Sequence, residues 1–243
     1  MYALIIGFAI VGRICAETAN TTFVLVVGEI CSGAIWAVMA NLLINNVLRL
    51  WADFRHSLYG DESYLNHTLP VKNSLLFWSK FAVATIILIL NILASILALL
   101  IDRGGTDIAE TLRNFLPEIS AMLGFSSAGL VWAFLGVIFV EMLTIIATGF
   151  LACTLGFRKN NNKLSWSALY IFLIYIAVQI FIVLAILFVG IFNHDLLQIF
   201  TTNDASLTLV APAVIICIVG YCVATPILAL LTARSLSRGV DVE

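Results

Sequence analysis

Charge is what this chain has least of. Only 11% of its 243 residues are Asp, Glu, Lys or Arg, and 62% are hydrophobic, whereas a soluble domain carries roughly 25% charged residues. With a mean hydropathy of +1.10, a water-soluble globule is excluded. There is no G-x-x-x-x-G-K-[ST] stretch, so no P-loop is present to hold a nucleotide. The five cysteines (Cys15, Cys31, Cys153, Cys217, Cys222) stand singly without a C-x-x-C pair, and His56, His67 and His194 are far apart. That pattern fits small buried apolar cysteines rather than metal or redox chemistry. The apolar runs do not alternate with period two, which excludes a transmembrane β-barrel. No basic stretch precedes the first apolar run and Arg13 follows it, so a cleavable signal peptide is not expected. Internal repeats and low-complexity runs are also missing, and the polar intervals are too short for a catalytic domain.

What is present is a series of long apolar runs. A bilayer core needs about 20 apolar residues per helical crossing, with every backbone group bonded internally. Six such helices are expected, over about Met1–Ile14, Phe23–Leu50, Leu76–Ile101, Ala128–Phe157, Trp166–Phe192 and Thr208–Leu231. The fold class is therefore an all-α integral membrane protein, one transmembrane domain over residues 1–243. Between the third and fourth helices, Ile108, Leu112, Phe115 and Leu116 share a helical face ahead of Pro117, which predicts a helix lying in the interface.

The longest polar interval, Asp53–Lys80, carries both signs of charge (Asp53, Arg55, Asp61, Glu62, Lys72, Lys80). Placing it on the cytoplasmic side also puts Arg49, Arg158, Lys159, Lys163, Arg234 and Arg238 there. Arg13, Arg103 and Arg113 then lie outside: nine of the twelve Lys and Arg against three. The positive-inside bias fixes both termini as cytoplasmic. Inside the interval, Asp61 is placed to cap a short helix with Tyr64, Leu65, Thr68 and Leu69 on one face, ended by Pro70. A short amphipathic helix between two spans is a surface for docking another protein.

The run Leu58-Tyr59-Gly60-Asp61-Glu62-Ser63-Tyr64-Leu65-Asn66-His67-Thr68-Leu69-Pro70-Val71, followed by Leu75, Leu76, Ser79 and Lys80, resembles the coupling segment of bacterial ABC-2 type permeases, of the kind found in small peptide-toxin exporters. It departs from the family at Ser63, where Gly is usual, and at Asn66 and His67, where Thr and an aromatic are usual. A weaker match is Leu155-Gly156-Phe157 followed by basic residues. The family's amphipathic helix ahead of the first span is not seen before the apolar run that starts at Met1, so either Met1 is not the native start or that helix has been lost. The resemblance implies a permease that binds no cofactor itself and works with a separate ATP-binding subunit, which holds ATP and Mg. It further implies a second permease copy, identical or a close paralogue, and a bacterial cell membrane; no nucleic-acid partner is expected. The docking residues it implies are Tyr59, Gly60, Asp61, Glu62, Ser63, Tyr64, Leu65 and Leu69. It also implies that the second and fifth spans surround a central cavity.

Polar groups on those two spans are Glu29, Asn41 and Asn45 on the second and Tyr175 and Gln179 on the fifth. They are the candidate substrate path. Gly33, Ala37, Asn41 and Asn45 recur every fourth residue, a stripe that equally suits close helix–helix contact. Glu29 has a possible structural partner in Arg13, although Arg13 equally suits Glu17 one turn on. Glu141, mid-way along the fourth span, has no basic residue at its depth, and an unpaired carboxylate there is a functional candidate.

The sequence thus points to the transmembrane subunit of an ATP-driven exporter of amphipathic peptides or other hydrophobic substrates, not itself an enzyme. Two other classes compete: an ion-coupled secondary transporter using a membrane-buried Glu, and an intramembrane enzyme. The latter needs a catalytic cluster on facing helices, and neither Glu29 nor Glu141 has a histidine within any span. Sidedness is directly testable. With the native cysteines replaced, a cysteine at Asn161 stays unlabelled by an impermeant thiol reagent added to intact cells, and one at Thr106 is labelled; the opposite pattern inverts the topology.

Overall fold

A computed structural model describes residues 2–18, 21–60, 73–102, 126–159, 161–192 and 210–237. Among these residues the regular structure is entirely α-helical. The helices are α1 (Tyr2–Glu17), α2 (Thr22–Tyr59), α3 (Asn73–Asp102), α4 (Ser127–Gly156), α5 (Lys163–Phe192) and α6 (Val210–Ser237). The short helix expected after Asp61 and the interfacial helix expected over 108–116 lie outside the described residues.

All but α1 are long and apolar enough to cross a bilayer, the organisation of a multi-pass membrane protein. At 1.5 Å per residue, the 16 residues of α1 reach only about 24 Å, short of a hydrocarbon core of about 30 Å. The surface is correspondingly apolar: Phe23, Trp132 and Phe192 are each more than 70% exposed. Such a surface is stable against acyl chains and not against water.

Several helices run further than the apolar runs that announced them. The second was expected to stop near Leu50, but α2 continues to Tyr59 with Asp53, Arg55 and His56 on it. Nothing between Leu50 and Tyr59 breaks a helix, and leaving the bilayer does not unwind a backbone that is already hydrogen-bonded internally. Gly60 ends it, its N–H donating to the His56 carbonyl at 3.1 Å. In the same way α6 runs to Ser237 rather than Leu231. Ser126 starts α4 from an extended conformation, and its hydroxyl accepts the Gly129 N–H at 3.1 Å. Between α4 and α5 the chain turns through Asn162 at a φ of 52°, a left-handed conformation that Asn tolerates.

By contacts the chain divides into two units, Met1–Leu48 with Ile86–Glu118, and Arg49–Thr85 with Ile119–Glu243. Helices α2 and α3 contribute to both. In the first unit Ile5 and Ala9 of α1 pack with Ile35 of α2 and Ala98 of α3. In the second, α4 packs against both α5 and α6 around Ala147, Leu151, Val178, Ile182, Tyr221, Ala224 and Leu228. Small residues set how closely helices approach here. A Cβ on Gly149 would overlap the indole of Trp51, and one on Gly156 would overlap Ser167.

The contact at Gly149 leads to a prediction. Gly149→Ala costs about 1–3 kcal/mol by overpacking, read as a lowered denaturation midpoint of the purified chain in micelles. In a Trp51→Phe background the penalty shrinks, because the smaller ring leaves room. If Gly149→Ala is as stable as the unaltered chain, Trp51 does not pack there.

Candidate functional site

The polar segment expected to dock a partner leaves α2 at Gly60 and rejoins the chain at α3. Of the eight candidate docking residues, Tyr59 and Gly60 are described, whereas Asp61, Glu62, Ser63, Tyr64, Leu65 and Leu69 lie outside the described residues. The roots of the segment are held by an aromatic cluster in the second unit. Phe54 of α2 stacks on Phe150 of α4 with ring centroids 4.2 Å apart, and Phe77 of α3 meets both edge-on at 6.5 and 6.3 Å. All three rings are almost fully buried. Aromatic pairs in these geometries add about 0.5–1.5 kcal/mol each beyond their burial.

One helical turn past Phe54, Tyr59 stacks on Phe157 at 4.6 Å. Tyr59 is thus half-buried against its own chain rather than standing free for a partner. This contact gives the Leu155-Gly156-Phe157 run a physical role: Gly156 admits Ser167 of α5, and Phe157 supports the end of α2. The basic residues that follow are also engaged. Arg158 donates from its guanidinium to the Ser235 carbonyl in the last turn of α6, where unpaired carbonyls leave a partial negative charge. Lys159 lies 5.4 Å over the Trp166 ring. The end of α2, the start of α3 and the α4–α5 turn therefore form one braced platform within this unit.

The candidate path residues divide between the two units. In the first, Glu29, Asn41 and Asn45 are all exposed on α2, together with Gly33 and Ala37 of the same stripe. No atom lies within 4 Å of where a Gly33 side chain would stand. Glu29 has no ion-pair partner among the described residues, because Arg13 bonds Glu17 at 2.8 Å, an i,i+4 pair on α1. The stripe is thus open, and its polar groups are unmatched among the described residues.

The polar residue that does hold this unit together was not singled out from the sequence. Asn91 of α3 is 1% exposed. Its side-chain oxygen accepts from the Asn46 amide at 2.8 Å and from the Tyr2 hydroxyl, so one carbonyl ties α1, α2 and α3. The only hint was a lone Asn inside the third apolar run. Asn46 is the immediate neighbour of the candidate Asn45 but lies on another face of the helix.

In the second unit Gln179 of α5 is half-buried and donates from its side-chain amide to the Tyr221 hydroxyl of α6 at 3.2 Å. Tyr175, one turn away, is exposed. Glu141 of α4 is partly buried and within electrostatic reach of Tyr221 and Cys217. One turn further along, the Thr144 and Thr225 hydroxyls bond across α4 and α6 at 2.7 Å. Gln179 thus bonds Tyr221, which also lies within electrostatic reach of Glu141, and Tyr221 was not among the candidates. Among the described residues no three His, Cys, Asp or Glu side chains gather as metal ligands would.

No family model, curated protein or solved structure matches the chain.

The Asn91 linkage can be measured. In a double-mutant cycle of Asn46→Leu and Asn91→Leu, the expected coupling is about 0.6 kcal/mol and at most about 1.7 kcal/mol, the range found for hydrogen bonds between membrane helices. Full additivity of the two substitutions removes the bond.

Proposed function

We propose that this chain is the permease subunit of an ATP-driven ABC exporter. It crosses the bacterial cell membrane six times, the short α1 included by local thinning of the bilayer around it, with both termini and the 53–80 interval in the cytoplasm. The observation that carries the proposal is the braced platform around Phe54, Phe77, Phe150 and Tyr59, from which a segment resembling an ABC-2 coupling segment departs. A segment that receives force from a partner must be rooted in helices that move with it. Phe54 and Phe77 sit at its two roots, and Phe150 locks both to α4. Displacing the segment would therefore tilt α2, α3 and α4 rather than bend a loop.

The partner is a separate chain that binds ATP and Mg, since this sequence has no P-loop. Tyr64 and Leu65 serve as its buried anchors, while Asp61 and Glu62 cap the docking helix or pair with basic residues of the partner. The open stripe of α2 calls for a second permease copy. Glu29, Asn41 and Asn45 are exposed at membrane depth, and polar groups there need water or protein rather than lipid. A second copy facing this stripe encloses a path lined by few polar groups among apolar ones. Such a path holds amphipathic substrates by burying their apolar face, at about 25 cal/mol per Å².

An ion-coupled transporter remains the second reading, favoured by Glu141, which has no basic partner among the described residues. The tests separate the two. Tyr64→Ala with Leu65→Ala abolishes ATP-dependent export while the chain still purifies as a folded membrane protein. A cysteine at Asn41 cross-links to its counterpart in a second copy. Unimpaired transport by the double alanine variant rules out the docking role, and transport driven by an ion gradient without any ATPase supports the second reading.

A further inference from the structure

The two contacts between α4 and α6 set how these helices are aligned. Thr144 meets Thr225 mid-way, and Arg158 meets Ser235 near the C-terminal ends of both. The helices therefore run parallel within this unit. Stepping back one turn from the threonine pair reaches Glu141 on α4, and on α6 it reaches Tyr221, with Cys217 a further turn away. On α5, Gln179 bonds Tyr221 through its side-chain amide, and its carbonyl oxygen lies 3.4 Å from the same hydroxyl. Tyr175, one turn along α5, is within electrostatic reach of Tyr221. Three helices thus bring a carboxylate, a phenol and an amide to about one level, with a second phenol one turn away.

The chemistry of this set favours one kind of ligand. It has a single carboxylate, too few anionic oxygens for Ca²⁺ or Mg²⁺, which take six or more oxygen ligands. A monovalent ammonium suits it: the carboxylate supplies the charge, the amide and phenol oxygens accept N–H bonds, and the rings attract the cation. One turn from Tyr221 begins an apolar groove of about 300 Å³, lined by Ile174, Val178, Phe181, Ala224, Leu228 and Leu231. A charged head held at Glu141 leaves its apolar tail beside this groove.

We propose that Glu141, Tyr175, Gln179 and Tyr221 form a cation site inside the membrane for the ammonium head of a single-chain amphiphile, whose tail lies in the groove between α5 and α6. The site names a substrate class for the exporter proposed above and to that extent rests on that reading. Binding itself needs no ATPase, so it is measured on the full-length chain alone.

The probe is tritiated dodecylammonium, and the chain is placed in phosphatidylcholine nanodiscs, with protein-free nanodiscs as background. Saturable binding is expected, at least tenfold weaker in Glu141→Gln and largely retained in Glu141→Asp. Tyr221→Phe keeps the ring and loses the hydroxyl, and lowers affinity about threefold. Unlabelled dodecanol, of equal chain length without charge, competes at least tenfold less well on the unaltered chain. That comparison decides the matter even if Glu141→Gln fails to fold. Absence of saturable binding, wild-type affinity in a folded Glu141→Gln, or equal competition by dodecanol overturns the site. Binding that persists in a chain to which no ATPase ever attaches keeps the site and removes the exporter, whereas an attached ATPase without binding does the reverse.

Discussion

A hydrogen-bonding group inside an apolar layer is costly unless it finds a partner, and this constraint shapes much of the molecule. Helices satisfy the backbone on their own. Several buried hydroxyls meet the constraint by turning back on their own helix: Thr148 and Thr154 bond carbonyls one turn earlier on α4, as does Thr232 on α6, while of the Thr144–Thr225 pair one hydroxyl donates to its own helix and the other across to it. A threonine so satisfied costs little to bury and leaves the surface small enough for close packing. That is why α4 can carry Thr144, Ala147, Thr148, Gly149 and Ala152 on buried faces and serve both α5 and α6.

Where a side chain is too large or too polar to be satisfied locally, it joins helices instead. Asn91 does so in one unit and the Gln179–Tyr221 pair in the other. Each bond is modest in energy, yet an unsatisfied amide in an apolar layer costs several kcal/mol. Such residues therefore fix which faces meet more than they add stability. Apolar side chains around them would pack in several registers, but a paired amide accepts one.

The exposed polar residues stand at the opposite pole. Glu29, Asn41 and Asn45 have the same cost of burial in lipid and no partner among the described residues. The aromatic platform around Phe54, Phe77 and Phe150 has the reverse character, fully buried and rigid. A rigid platform at the root of a polar segment and an unmatched polar stripe on the same helix are complementary properties in the proposed permease. The platform takes up force from a partner, and the stripe awaits a second copy or a path.

Composition and the length of the apolar runs determined the fold class, because a helix in lipid is dictated by hydrophobicity over about 20 residues, and the helices among the described residues overlap those runs. Helix ends were less legible: α2 continues through Asp53 to Tyr59, because the polarity of side chains past the bilayer does not unwind a bonded backbone. The candidate site was legible only as residue types. Polar residues in apolar runs marked Glu29, Asn45, Gln179 and Glu141, but periodicity along one helix does not tell which neighbour its face will meet. So Arg13 went to Glu17 rather than Glu29. Asn46 rather than Asn45 found a buried partner in Asn91, and Gln179 found its partner in Tyr221. Those outcomes depend on the rotation and register of one helix against another, which packing across long sequence separations decides and no single run of residues contains.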